Sequence, residues 1–153
     1  GHMLFSNFAD ESLKNALVKV CGFRLSANKA VQHAYAAGIG AREVDEVERA
    51  KYLKMLQERA AYTSQRLNAI PGIKVVPPQG AFYAFPQLQK GPWKTDKEFV
   101  IALLEEEGVR VVPGSGFGMK PGERFFRVVT LPDLETQKQA YDKIERFMKK
   151  HAA

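Results

Sequence analysis

Between residues 109 and 130 two apolar runs flank a connection with glycine at 114, 116, 118 and 122, and this stretch constrains the fold more than any other. The runs Val109-Arg-Val-Val and Phe125-Phe-Arg-Val-Val-Thr read as strands, because they are dominated by β-branched and aromatic residues and bounded by turn formers. Arg127 is the odd residue. On a strand of period two it shares a face with Phe125 and Val129, so its guanidinium leaves an apolar surface and needs an anionic partner. A planar fork of donors in that setting suits a carboxylate gripped by two parallel hydrogen bonds. Arg127 is therefore the leading candidate for a substrate-binding residue. The competing structural reading pairs it with Glu123 or Asp133.

The rest of the chain alternates helix and strand patterns. Residues 4 to 8 read as the end of a strand, and residues 10 to 20 as a short helix with Leu13, Leu17 and Val20 on one side and Gly22 as its stop. Asn28 caps a second helix striped by Val31, Ala34, Tyr35 and Ile39 that ends near Gly38 and Gly40. Two amphipathic helices cannot enclose a core, so their apolar faces must meet something outside this segment. Residues 42 to 68 form a long helix with Leu53, Leu56, Ala60 and Leu67 on one stripe, closed by Ile70-Pro-Gly. Residues 73 to 76 and 81 to 85 are strands separated by Pro77-Pro-Gln-Gly. Thr95-Asp-Lys-Glu is a capping box for a helix over 99 to 107, with Leu103 and Leu104 inward and Gly108 as terminator. Pro132 opens a last helix with Asp133 and Glu135 in its first turn, Lys149 and Lys150 in its last, and Leu134, Tyr141, Ile144 and Met148 inward. The order predicts an α+β architecture, helices packed on a small, mostly antiparallel sheet.

At 153 residues and 45% hydrophobic, the chain can bury one real core. The net charge of +6 would suit nucleic acid if it were clustered, but the charges are dispersed, with basic and acidic residues mixed along both long helices. One cysteine, Cys21, excludes an internal disulfide framework and fits a reducing compartment. No stretch approaches the roughly 18 apolar residues of a membrane span, and no secretory leader is evident, so a cytoplasmic, membrane-free protein is expected. Gly1-His2-Met3 matches the scar of a cleaved tag. With His33 and His151 as the remaining histidines, no pair has metal-ligand spacing. The glycines at 114 to 118 lead into a strand rather than a helix, which argues against a phosphate cradle and for a tight backbone approach. Phe82, Tyr83 and Phe85 could stack bases on a sheet, but no basic cluster flanks them.

Four motifs in order carry a resemblance. Ile70-Pro-Gly-Ile-Lys, then Pro78-Gln-Gly-Ala-Phe-Tyr-Ala-Phe-Pro, then Val109-Arg-Val-Val-Pro-Gly-Ser-Gly-Phe-Gly, then Phe126-Arg-Val resemble the C-terminal part of class I/II aminotransferases. These are pyridoxal-phosphate enzymes of fold type I, and the chain is most similar to the archaeal alanine/aspartate aminotransferase group. The resemblance implies residues 4 to 41 as a remnant of the large domain, and 42 to 153 as the small domain with its connecting helix. It implies that Arg127 binds the α-carboxylate of the substrate, with Phe117 and Gly118 in the loop beside it. It also implies that Ser26, Asn28 and Gln32 approach the neighbouring subunit's active site in a homodimer or larger assembly. The lysine that forms the Schiff base belongs to a Ser-x-Ser-Lys motif that this sequence lacks. The chain is thus expected to hold no catalytic residue, to bind no pyridoxal phosphate, and to be inactive alone. The parent would exchange an amino group between an amino acid and a 2-oxo acid. The alternative is a non-catalytic α/β module binding RNA or a small ligand.

Overall fold

The computed structural model describes residues 10 to 23, 27 to 120 and 122 to 151. The strand end expected over 4 to 8, and the tag-like residues 1 to 3, lie outside them. The chain divides into two compact units, Gly1–Glu48 and Arg49–Ala153.

The first unit holds helices α1 (Glu11–Gly22) and α2 (Lys29–Gly40) and the start of α3 (Arg42–Asn68). Asp10 caps α1 by accepting the Leu13 N–H at 3.0 Å, and Asn28 caps α2 through the N–H groups of Ala30 and Val31. Gly22 does not stop α1. It stays helical, and the helix runs on to a cap at Phe23, which is itself right-handed. No residue of α1 or α2 is buried, and Val20, Phe23, Val31, Tyr35 and Ile39 are exposed.

The second unit contains β1 (Ile73–Lys74), β2 (Tyr83–Ala84), β3 (Gln87–Leu88), α4 (Asp96–Glu107), β4 (Val112–Pro113), a single 3-10 turn (Gly114–Phe117), β5 (Phe126–Val129) and α5 (Leu134–Lys150). All ladders are antiparallel. β1 pairs with β3, and a second sheet has the order β2-β5-β4, with an isolated bridge between Gln87 and Phe125 joining the two. The α+β class holds, but the strands are shorter than expected, and β3 is additional. Pro86 lacks an N–H and splits what would be one strand, while its carbonyl still accepts the Phe126 N–H at 3.0 Å.

The core is built from this unit alone. Phe99, Leu103, Phe126, Ile144 and Phe147 are fully enclosed, with Leu67 from the last turn of α3 and Ile70 just beyond it. Trp93 stacks on Phe147 at 5.0 Å and meets Phe99 edge-on at 5.1 Å. A buried polar network ties α3 to α5, since the Thr63 hydroxyl lies 3.0 Å from Gln137 Oε1 and 2.8 Å from the Tyr141 hydroxyl. Two inward assignments are corrected. Leu104 and Leu134 are each 46% exposed, because α4 turns Phe99, Val100 and Leu103 to the core and α5 turns Gln137, Tyr141, Ile144 and Met148.

The α4 entry also differs in detail. Thr95 caps the helix through the Glu98 N–H, but the Glu98 carboxylate takes the N–H of Lys94, one residue before the reciprocal partner of a capping box. Gly108 ends α4 in the left-handed conformation, as expected. Asp133 is the cap of α5 rather than part of its first turn.

Candidate functional site

β5 is the central strand of its sheet and serves two faces. Phe126 and Val128 point into the core, while Arg127 and Val129 point the other way. The register places Val112 of β4 opposite Arg127, and Tyr83 of β2 opposite Val129. Alternation therefore sets Tyr83 and Phe85 on the same face as Arg127.

Around that arginine the side chains are aromatic. Its Cζ lies 4.5 Å from the centroid of the Tyr83 ring and 4.4 Å from that of Phe117, both distances at which a ring's negative face attracts a cation. Phe85 backs the arrangement, stacked on Phe125 at 5.3 Å and edge-on to Phe117 at 5.9 Å. Arg127 Nε is buried and donates to nothing among the described residues. A buried, unpaired donor on a cation is costly, so this position favours an incoming acceptor.

Neither structural carboxylate fills that place. Glu123 accepts the N–H of Lys120, and Asp133 accepts the N–H and hydroxyl of Thr136. Those bonds hold the Asp133 carboxyl below its ordinary value.

The glycine-rich segment acts as a close backbone connection. Gly114 donates its N–H to the Phe125 carbonyl at 2.8 Å, and a Cβ there would sit 2.7 Å from Phe125 Cβ. Gly118 follows the turn in the left-handed conformation, φ 78°. Ser115 donates its N–H to the buried Asp96 carboxylate at 2.5 Å.

The structure thus brings Arg127, Phe117 and Gly118 into one locality. Asn28 and Gln32 make local bonds at the start of α2, Gln32 Nε2 donating to the Ala27 carbonyl at 2.8 Å. Ser26 lies outside the described residues. Tyr83 and Asp96 were missed as parts of this locality. Tyr83 has a legible signal, being an aromatic at the right alternation on an adjacent strand, whereas Asp96 reads only as a helix-opening residue. Phe82 and Tyr83 pack on one another at 4.5 Å, and Phe85 is engaged with two rings, so these aromatics contact neighbours rather than forming a bare stacking platform.

The family model for aminotransferases of class I and II matches residues 7 to 144. The chain belongs to that family. Human alanine aminotransferase 1 is 38% identical over 112 residues, covering 67% of this chain and 23% of the human protein. Aspartate aminotransferase of Bacillus subtilis (strain 168) is 44% identical over 91 residues, 57% of this chain and 22% of that one. Among solved structures, alanine aminotransferase from Pyrococcus furiosus matches 93% of this chain and 36% of its own, with a TM-score of 0.81 and 42% identity. The chain therefore spans about a quarter of the length of the curated relatives it matches. The family implies pyridoxal phosphate in a whole enzyme. None of the described lysines is buried. No described helix is long and apolar enough to cross a membrane.

Proposed function

We propose that this chain is the substrate-gripping part of an aminotransferase that moves an amino group between an amino acid and a 2-oxo acid. Arg127 is its carboxylate-binding residue, Phe117 and Gly118 form the adjoining wall, and residues 42 to 153 are the small domain. Residues 4 to 41 are a remnant of the large domain, and Ser26, Asn28 and Gln32 are its contacts toward a second subunit. The Schiff-base lysine is missing from this sequence, so the chain alone neither holds pyridoxal phosphate nor transaminates. The whole enzyme is a cytoplasmic homodimer or larger assembly.

The observation that carries this reading is the state of Arg127. It is a cation between two aromatic rings, with one buried donor unpaired and no carboxylate partner among the described residues. A substrate α-carboxylate supplies the missing acceptor and can be taken bidentately. Every amino acid and 2-oxo acid carries that group, so the contact orients all substrates alike and leaves side-chain choice to other residues.

The test is Arg127→Lys in the full-length enzyme. Two charge-assisted bonds contribute about 3 to 6 kcal/mol, so a lysine that keeps the charge and one of them loses about 1.5 to 3 kcal/mol and should lower kcat/KM by about one to two decades. The loss should be common to all amino donors and leave cofactor occupancy unchanged. Near-normal kcat/KM with a large fall in melting temperature would remove Arg127 from the site.

A further inference from the structure

Arg127 reaches its place on a long side chain, and the loss of rotamer freedom on ordering such a chain opposes binding unless it is ordered beforehand. A neighbouring carboxylate would order it but would also occupy its donors and neutralise its charge. Ring faces attract the cation without taking an N–H.

We propose that Tyr83, Phe117 and Asp96 are positioning residues for Arg127, the two rings holding the guanidinium and the buried Asp96 carboxylate tethering the turn that carries Phe117. This rests on the reading of Arg127 as a carboxylate-binding residue. Tyr83 is fixed by the β2-β5 ladder. Phe117 is not on a strand. It closes the 3-10 turn, is 44% exposed, and stays over the guanidinium only if that turn is held.

Asp96 supplies the hold. It is 6% exposed, in the first turn of α4, where the helix N-terminus favours a negative charge. It is not the cap, because Thr95 already accepts the Glu98 N–H. One Asp96 oxygen takes the N–H of Lys97, and the other leaves the helix to accept the Ser115 N–H, two residues before Phe117. The contacts thus run from Asp96 through Ser115 and Phe117 to Arg127. All of them lie within the second unit.

The experiment uses the 153-residue chain labelled with 15N and 13C, the Arg127 Nε–H signal being identified by its loss in Arg127→Lys. Two quantities are read: the rate of rotation about the Arg127 Nε–Cζ bond, and the affinity for L-alanine, with L-alaninamide as the control lacking a carboxylate. Asp96→Ala and Phe117→Leu should each speed that rotation by about threefold and weaken L-alanine binding by about two- to fivefold. Asp96→Asn keeps an oxygen able to accept from Ser115, and should lie closer to the unsubstituted chain. Phe117→Leu, on an exposed turn, keeps the test valid if Asp96→Ala fails to fold. Unchanged rotation and affinity in folded Asp96→Ala and Phe117→Leu, even with a lower melting temperature, would overturn the proposal. If L-alanine moves the Arg127 signal no more than L-alaninamide does, the carboxylate reading falls instead. The positioning roles then stand or fall on the rotation rates alone.

Discussion

Gly114 occupies a point where the chain has no room for a side chain, since a methyl there would lie 2.7 Å from both Cβ and the carbonyl oxygen of Phe125. Backbone is hard to displace, so Gly114→Ala should cost about 1 to 3 kcal/mol, read as a lower urea midpoint at unchanged slope. An unaltered midpoint would show that the turn yields easily. Ala81 is the opposite case, a residue with a Cβ held at φ 56°. Ala81→Gly should relieve about 1 kcal/mol of left-handed strain, partly offset by the greater freedom of glycine in the unfolded chain, for a small net rise in melting temperature. Arg127 was legible from sequence because a charge on an apolar strand is conspicuous at the level of alternation alone. The Tyr83 contact needs the strand register as well, and the Asp96 bond joins elements far apart in sequence, so no local pattern encodes it. The alternative pairing of Arg127 with Glu123 or Asp133 is not seen, because both carboxylates are used on backbone N–H groups close to them in sequence.

At the level of elements, α4 ends on Glu106 and Glu107, charges that the negative end of a helix disfavours. α5 offsets them. Arg146 bonds to Glu107, Lys150 and His151 bond to Glu106, and Lys143 donates to the Glu107 carbonyl at 3.0 Å. These hydrogen bonds, those from Lys150 and Arg146 foremost, hold the carboxyls of Glu106 and Glu107 below their ordinary value of 4.5, and Lys149 with Arg66 does the same for Glu145. A carboxyl depressed in the folded chain binds protons more readily when unfolded. Its contribution is therefore complete above 4.5 and is lost as pH falls through the lower folded values. The urea midpoint should accordingly drop between about pH 5 and about pH 3, and Arg146→Gln should shrink that drop; salt near 0.5 M should also shrink it by screening these exposed pairs. A midpoint flat across that range would contradict the role given to these pairs. Helices were easier to read than strands for a related reason. Caps and periodicity are local, whereas strands of two residues are defined by distant partners, as when β1 pairs past β2 with β3.

For the whole molecule, every buried hydrophobic residue of the core lies between Leu67 and Met148, within the second unit. Residues 49 to 153 alone should therefore unfold cooperatively, with the emission of the single tryptophan, Trp93, reporting a midpoint within a few degrees of the full chain's. The exposed apolar residues of α1 and α2 should instead govern association, so the full chain should scatter light as a dimer or larger species and the shortened one as a monomer. Identical association states in the two would assign self-contact to the second unit. The architecture of β5 also bears on how such chains can diverge. Its even-numbered side chains build the core and its odd-numbered ones carry the arginine and its neighbour, so losing one residue inside the strand would exchange the two sets. The guanidinium would be driven among phenylalanines and Phe126 turned outward, ending foldability and, with it, the grip proposed for Arg127 in a single event. Insertions or deletions within Phe126–Val129 should therefore be purged even where point substitutions beside the strand are tolerated.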